Sequence, residues 1–336
     1  MPSVVTKKNA MVAIMQKPLF STLLLFAALL RPAAAYATMT IRGYDDAKHE
    51  RYYTGGDRAF IGEPYDWSGV GKSSNRWAVM ISDHFFLSCM HVSTPSPVYF
   101  YEGNSAVEEE RHEYAINNTV GTRRIASSDL RLGMFTTPVD ASIAKYPILV
   151  SNPLLMNGGI EDFTDDQFDQ VLAPYANAML YNYGQGNRVG RNVLDYFLLI
   201  DGGNDDRIPT MYFQYDDPGV GDDETHLQSG DSGGPTFFIH EGQLSLSGIH
   251  WYINADDYPT GSGDSFVPGY VFEIQAAMDA MADSAGIARE SLSLDYLYAI
   301  PEPAMSLILL TLTTTLLLRR NHRTNRRSRR STQIMT

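Results

Sequence analysis

Along the middle of the chain, apolar residues come in short runs separated by Gly, Asn, Asp and Pro. The runs are Trp77 to Ser82, Phe85 to Cys89, Val98 to Tyr101, Ala178 to Tyr183, Tyr196 to Ile200, Thr210 to Tyr215, Pro235 to His240 and Leu244 to Tyr252. They are rich in β-branched and aromatic residues and bounded by turn formers, which predicts strands. One stretch has a helical period: Ile274, Met278 and Met281 recur on one face of Val271 to Ala285. Many strands and one late helix predict an all-β barrel or sandwich rather than an alternating α/β fold. Between Ser151 and Gln167 the pattern is loop-like, with Asn152-Pro153 and Gly158-Gly159, as expected of a crossing between two halves.

The two ends break this pattern. Lys7, Lys8 and Lys17 precede the apolar run Leu19 to Leu30, and Ala33-Ala34-Ala35-Tyr36-Ala37 follows it. A basic region, a short apolar stretch and a small-residue exit predict a secretory signal peptide over 1–37, cut by signal peptidase after Ala37 or, second, after Ala35. At the other end, Pro301-Glu302-Pro303 leads into a 15-residue apolar stretch, Ala304 to Leu318, and then seven arginines between 319 and 330. As a helix that stretch covers only about 22 Å of a hydrocarbon core about 30 Å thick. It holds a membrane only with help from its flanks, and the arginines mark the cytoplasmic side. This tail, 301–336, resembles the PEP-CTERM sorting signal of Gram-negative bacteria. The resemblance implies an exosortase-like processing enzyme, transient membrane anchoring through 304–318, and a final place in the periplasm, at the cell surface or outside.

Charge sharpens the picture once the ends are set aside. Four of the 26 basic residues lie in 1–37 and seven in 319–336, which leaves 15 against all 39 acids and a body charge of −24. Such a surface repels nucleic acid and anionic membranes. The single cysteine, Cys89, excludes an intramolecular disulfide. The body, 38–300, is large enough to fold without one. No His/Cys/Asp spacing along the sequence suggests a metal, and no Gly-rich phosphate loop is present, so no cofactor is expected. Asp216-Asp217 and Asp222-Asp223 read as solvated loop carboxylates before they read as calcium ligands.

The chemistry concentrates in Gly230-Asp231-Ser232-Gly233-Gly234-Pro235, placed after a loop and before an apolar strand. A serine hydroxyl is a poor nucleophile until a base takes its proton. The glycines allow a turn tight enough for the amides of Gly230 and Ser232 to face one point, where an oxyanion would develop. This hexapeptide resembles the nucleophile motif of the trypsin-like serine peptidases. The resemblance spans about residues 41–285, though only three segments are specific. It implies two packed six-stranded β-barrels, about 38–150 and 151–285, with the site in the cleft between them and a C-terminal helix behind.

It also implies a base and a carboxylate. His91, ending the apolar strand Phe85 to Cys89, fits the base; His84, which precedes that strand, competes. Asp129, opening Leu130 to Phe135, fits the carboxylate, with Asp140 second. The order His, Asp, Ser along the chain agrees with this family and disagrees with the α/β-hydrolase and subtilisin orders. The resemblance places His226, six residues before Ser232, at the floor of the specificity pocket, and Gly248-Ile249-His250-Trp251 on the strand lining the cleft. Cleavage after Lys or Arg is then not expected, since His226 offers no counter-charge. A freed amino terminus at Ile41, in Thr40-Ile41-Arg42-Gly43, is implied as a partner for Asp231. The expected activity is hydrolysis of protein or peptide substrates through an acyl-enzyme. The alternative is a surface or matrix protein that uses the same fold only for binding.

Overall fold

The computed structural model describes residues 38–104, 110–201, 207–216, 220–254 and 260–297. The leader 1–37 and the tail 301–336, with its apolar segment 304–318, lie outside the described residues. Among those described, no helix is long and apolar enough to cross a membrane.

The strands, in chain order, are β1 (Thr40–Ile41), β2 (Val70–Ser73), β3 (Arg76–Met80), β4 (Phe85–Cys89), β5 (Val98–Tyr101), β6 (Arg111–Tyr114), β7 (Thr122–Arg124), β8 (Leu130–Met134), β9 (Ile148–Val150), β10 (Met179–Gly184), β11 (Arg188–Val193), β12 (Tyr196–Asp201), β13 (Arg207–Gln214), β14 (Thr225–His226), β15 (Pro235–His240), β16 (Gln243–Asn254), β17 (Gly261–Phe266) and β18 (Leu294–Tyr296). The first large sheet runs β6-β5-β2-β3-β4-β8-β7. It closes on itself where the chain after β6 reaches the end of β8: Ile116 bridges Phe135, and Asn117 N–H donates to Met134 O at 2.8 Å. The second runs β11-β10-β15-β16-β17-β13-β12. Only Leu194 and Asp195 separate β11 from β12. Leu194 N–H donates to Ala178 O and Asp195 N–H to Tyr212 O, so one extended segment pairs first with β10 and then with β13. Both sheets are therefore six-stranded barrels, with short strands added at their edges. The fold is all-β.

A helix, Val271–Ala285, follows the second barrel and buries Ile274, Met278 and Met281. Gly286, at φ +68°, ends it in a left-handed cap. The crossing between the barrels holds more structure than a loop. Asp165–Leu172 is a helix with a full capping box, Thr164 and Gln167 each bonding the other's backbone. Its eight residues carry too short a pattern to stand out in the sequence. Ile148–Val150, before the crossing, pairs with β16 and β18 and so belongs to the second sheet.

β3 and β4 bury side chains on both faces because both faces are covered, while β8 turns its apolar face to the large core. Trp77, Val79, Phe85, Leu87, Leu130 and Leu132 join the large core that continues into the second barrel. Ala78, Met80 and Phe86 join a smaller one with Phe100, Phe135 and Ile143. Between the barrels the rings interlock. Trp67 and Trp77 lie 5.5 and 5.3 Å from Tyr183 of β10, and Trp67 meets Phe237 of β15 edge-on at 5.7 Å. This seam predicts that Phe237→Ala lowers unfolding free energy by about 3–5 kcal/mol, the range for a fully buried aromatic. Urea unfolding followed by intrinsic fluorescence measures it. A loss under about 1 kcal/mol would mean that the seam does not hold the barrels together.

Candidate active site

β4 stops at Cys89 because the next two residues bond across to the segment before β8. Met90 N–H donates to Asp129 O at 2.6 Å, and Arg131 Nη2 donates to Met90 O at 2.7 Å. Asp129 itself sits in a turn where the Ser128 hydroxyl accepts from Leu130 N–H at 3.1 Å and donates to Ile125 O at 2.6 Å. The Asp129 carboxylate then engages His91 twice. Oδ1 accepts from the His91 backbone N–H at 2.9 Å and Oδ2 from ring Nδ1 at 2.6 Å. With Nδ1 committed as donor to a carboxylate, the neutral ring keeps Nε2 as an acceptor. Nε2 lies 3.0 Å from Ser232 Oγ.

Ser232 is delivered by a chain of tight turns: Asp231 N–H donates to Gln228 O at 3.0 Å and Gly234 N–H to Asp231 O at 2.8 Å. Gly230 and Gly233 both have positive φ, +109° and +87°. At Gly233 close packing also matters. A Cβ there would lie 2.6 Å from Ser88 Oγ and 3.3 Å from Cys89 N, so a side chain would push the turn off the end of β4. Gly233 N–H donates to His250 O, and His250 N–H donates back to Gly234 O. Among the described residues, neither the Gly230 nor the Ser232 N–H has a hydrogen-bond partner. These are the two amides assigned to an oxyanion.

The structure thus brings His91, Asp129 and Ser232 together. His84 lies elsewhere, its ring and backbone both bonded to Glu290 behind the C-terminal helix. Asp140 is exposed and accepts from Ser142. His226 is half-buried on β14. Its Nδ1 meets Gln228 Nε2 at 3.1 Å, its ring stacks on Tyr215 at 5.6 Å, and burial lowers its pKa, which favours the neutral ring. Trp251 is half-buried at the bulge between His250 and Tyr252 on β16. Asp223 and Glu224 are buried: Asp223 pairs with Lys48 and Arg191 and bonds the His49 ring, and Glu224 pairs with Arg42. Ile41 lies inside the uncut chain. It pairs with Thr225 in β1, while Asp231 is buried and accepts from the amides of Gln185 and Gln228, both at 2.6 Å.

Two features were not legible in the sequence. Cys89, fully buried, has its sulfur near His91 and Asp129, with one ligand atom from each of the three within 4.8 Å of the others. This spacing suits a metal, but His91 and Asp129 already engage each other and Ser232. Below the nucleophile turn lies a second His/Asp pair, His250 Nδ1 to Asp264 Oδ1 at 2.9 Å, with Nε2 meeting Tyr183 O at 3.1 Å. Asp264 stands in Gly261–Phe266, where nothing apolar precedes Phe266 to announce a strand.

Comparison with known proteins adds names but little leverage. No protein-family model matches the sequence, and no curated protein matches it. Among solved structures, the chain resembles the NS6 protease from murine norovirus 1 at 14% identity, over 62% of this chain and 94% of that one, with a TM-score of 0.35. It resembles HL collagenase at 18% identity, over 68% and 97%, with a TM-score of 0.40. The architecture stands on the strand pairing, and the chemistry on the chain's own side chains.

The Asp129 carboxylate, and after it Cys89, raises the His91 pKa above the ordinary 6.5. The partner favours the charged ring, so this contact contributes stability fully below pH 6.5 that is lost as pH rises through the folded value. The ring resonance of His91, followed by NMR, should titrate with a midpoint above 6.5 that falls in Asp129→Asn. Equal midpoints in the two proteins would separate Asp129 from the ring.

Proposed function

We propose that this chain is an exported serine endopeptidase that hydrolyses peptide bonds through Ser232, His91 and Asp129. The observation that carries it is the chain of contacts from Asp129 through His91 to Ser232, 2.6 and 3.0 Å long, assembled from residues of both barrels. The base is also reachable, with the His91 side chain 36% exposed and Asp129 behind it only 9%.

In this reading His91 Nε2 takes the proton of Ser232 Oγ as the oxygen attacks the carbonyl carbon of the scissile peptide. The carbonyl π electrons move to oxygen, and the oxyanion accepts from the Gly230 and Ser232 amides. Asp129 holds the ring's tautomer and stabilises the imidazolium. The proton then passes from His91 to the leaving amine as the C–N bond breaks, leaving an acyl-Ser232 ester. Water repeats the sequence and frees the acid. His226 and Trp251 are placed in the substrate cleft, with a neutral imidazole where a cationic side chain would need an acid. Cleavage is therefore not restricted to Lys or Arg.

Replacing the hydroxyl of Ser232 removes the nucleophile and little volume. Ser232→Ala should lower turnover of an activated ester and of casein by roughly 10⁴- to 10⁶-fold, since triad members act as a unit. His91→Ala should cost about as much and the double variant scarcely more. Circular dichroism controls for folding. Wild-type turnover in folded Ser232→Ala would end the catalytic reading, and an inert wild type that resists fluorophosphonate labelling would leave the binding-only alternative.

Export and sorting rest on the two ends of the sequence. Mass spectrometry of protein released from the native host should show a chain that begins at Thr38, or at Tyr36, and ends before Ala304. Recovery of released chains that still carry Met305 to Thr336 would remove the sorting signal from the proposal.

A further inference from the structure

The turn that carries Ser232 is gripped from behind by one amide side chain. Gln185, just past β10, is buried. Its Nε2 donates to Gly230 O at 2.7 Å and to Asn75 O at 3.1 Å. Its Oε1 accepts from Lys72 Nζ at 3.0 Å, and its backbone N–H donates to Asp231 Oδ1 at 2.6 Å. Lys72 and Asn75 belong to the β2–β3 hairpin of the first barrel, and Gly230 and Asp231 to the second. Every polar group of the side chain is used, and all four partners are fixed by other parts of the fold.

Gly230 needs such a grip. At φ +109° it lies where only glycine is at ease, and glycine has little preference that would hold it there. The orientation of its peptide must come from hydrogen bonds. Its carbonyl has two, from Gln185 Nε2 and from Trp77 Nε1 at 3.3 Å. Its neighbour Asp231 is anchored through both carboxylate oxygens. The carbonyl and the carboxylate together fix the Gly230–Asp231 peptide, which lies between the two peptides that carry the Gly230 and Ser232 N–H donors.

We propose that Gln185 is the positioning residue for the oxyanion donors, holding the Gly230–Asp231 peptide between them through its carbonyl and joining it to the β2–β3 hairpin. The inference rests on the peptidase reading above. Gln185 touches neither substrate nor the reacting atoms. It acts on the geometry of the amide that does, so its loss is felt in the transition state and not in ground-state binding.

The experiment uses the processed protein, counted by fluorophosphonate active-site titration, with a peptide substrate and the matching peptide boronate, whose Ser232 adduct is tetrahedral. Gln185→Met keeps the length and loses every side-chain hydrogen bond. It should lower kcat by about 10- to 100-fold, within the range of losing one oxyanion donor, with KM changed less than about threefold. Boronate affinity should fall in parallel with kcat, while affinity for the product peptide stays put. Gln185→Glu, which faces the Gly230 carbonyl with a carboxylate oxygen, should be at least as poor. A titrated kcat within about twofold of wild type, or equal losses of boronate and product-peptide affinity, would overturn the assignment. If Gln185→Met does not fold, Lys72→Met is read instead. Losing one of Gln185's anchors should cost about three- to tenfold in kcat at constant KM, and an unchanged kcat overturns the proposal. A wild type that neither labels nor turns over substrate fails the peptidase reading itself, a different result from any of these.

Discussion

The site depends on one close approach, that of the Gly233 backbone to the end of β4. Ser88 and Cys89 leave no room for a side chain at 233. His91 follows Cys89 by two residues and Ser232 precedes Gly233 by one. The distance between nucleophile and base is therefore set by backbone packing, before either side chain chooses a rotamer. A contact of this kind transmits error directly, because a displacement of about 1 Å costs about 10²-fold in a reaction that depends on alignment. The aromatic seam of Trp67, Trp77, Tyr183 and Phe237 supplies the rigidity behind it. It joins the two barrels with interlocked rings, and Trp77 also reaches the Gly230 carbonyl.

Beneath the turn the second barrel is unexpectedly polar. Thr236, Asn182, Thr225, His250 and Asp264 are all buried and joined by hydrogen bonds. Burial alone would keep His250 neutral, but Asp264 outweighs it and raises the ring's pKa. A buried pair of this sort is weak as a source of stability, since desolvation offsets most of the attraction. What it does here is fix register. β17 has almost no apolar pattern to choose a partner alignment, and a slip of one residue would turn Asp264 away from His250. Because His250 also exchanges backbone bonds with Gly233 and Gly234, the register of β17 is tied to the position of Ser232.

These two arrangements explain what the sequence reveals and what it hides. Phe85–Cys89, Val98–Tyr101, Pro235–His240 and the helix Val271–Ala285 are legible to the residue, because each announces itself by composition and boundaries. Ser232, His91 and Asp129 were legible as candidates because a motif and a chain order select them. β17 was not. Its Gly261 and Gly263 lie under the rings of Tyr212 and Tyr252, which occupy the space their side chains would fill. The apolar cover is thus contributed by neighbouring strands, and a window on Gly-Ser-Gly-Asp cannot see it. Gln185 was equally hidden. It stands in a Gly-rich turn, Gly184-Gln185-Gly186, and its partners at 72, 75, 230 and 231 are close only after folding.

Asp231 in this chain already holds two backbone amides, and the remaining cost of burying its carboxylate shows in a pKa raised to about 6. Of the first described residues, Met39 is buried beside Gly184 and Asp231, and those after it run along β14. Thr40 and Ile41 pair with His226 and Thr225, Arg42 N–H donates to Glu224 O, and the Arg42 guanidinium bonds the Glu224 carboxylate. The strand β1 therefore props the short strand that carries His226. A cut between Thr40 and Ile41 would break the strand that makes these pairings. In the uncut chain the nucleophile turn is held by these amides and by the Gln185 side chain at the Gly230 carbonyl, all internal to the fold.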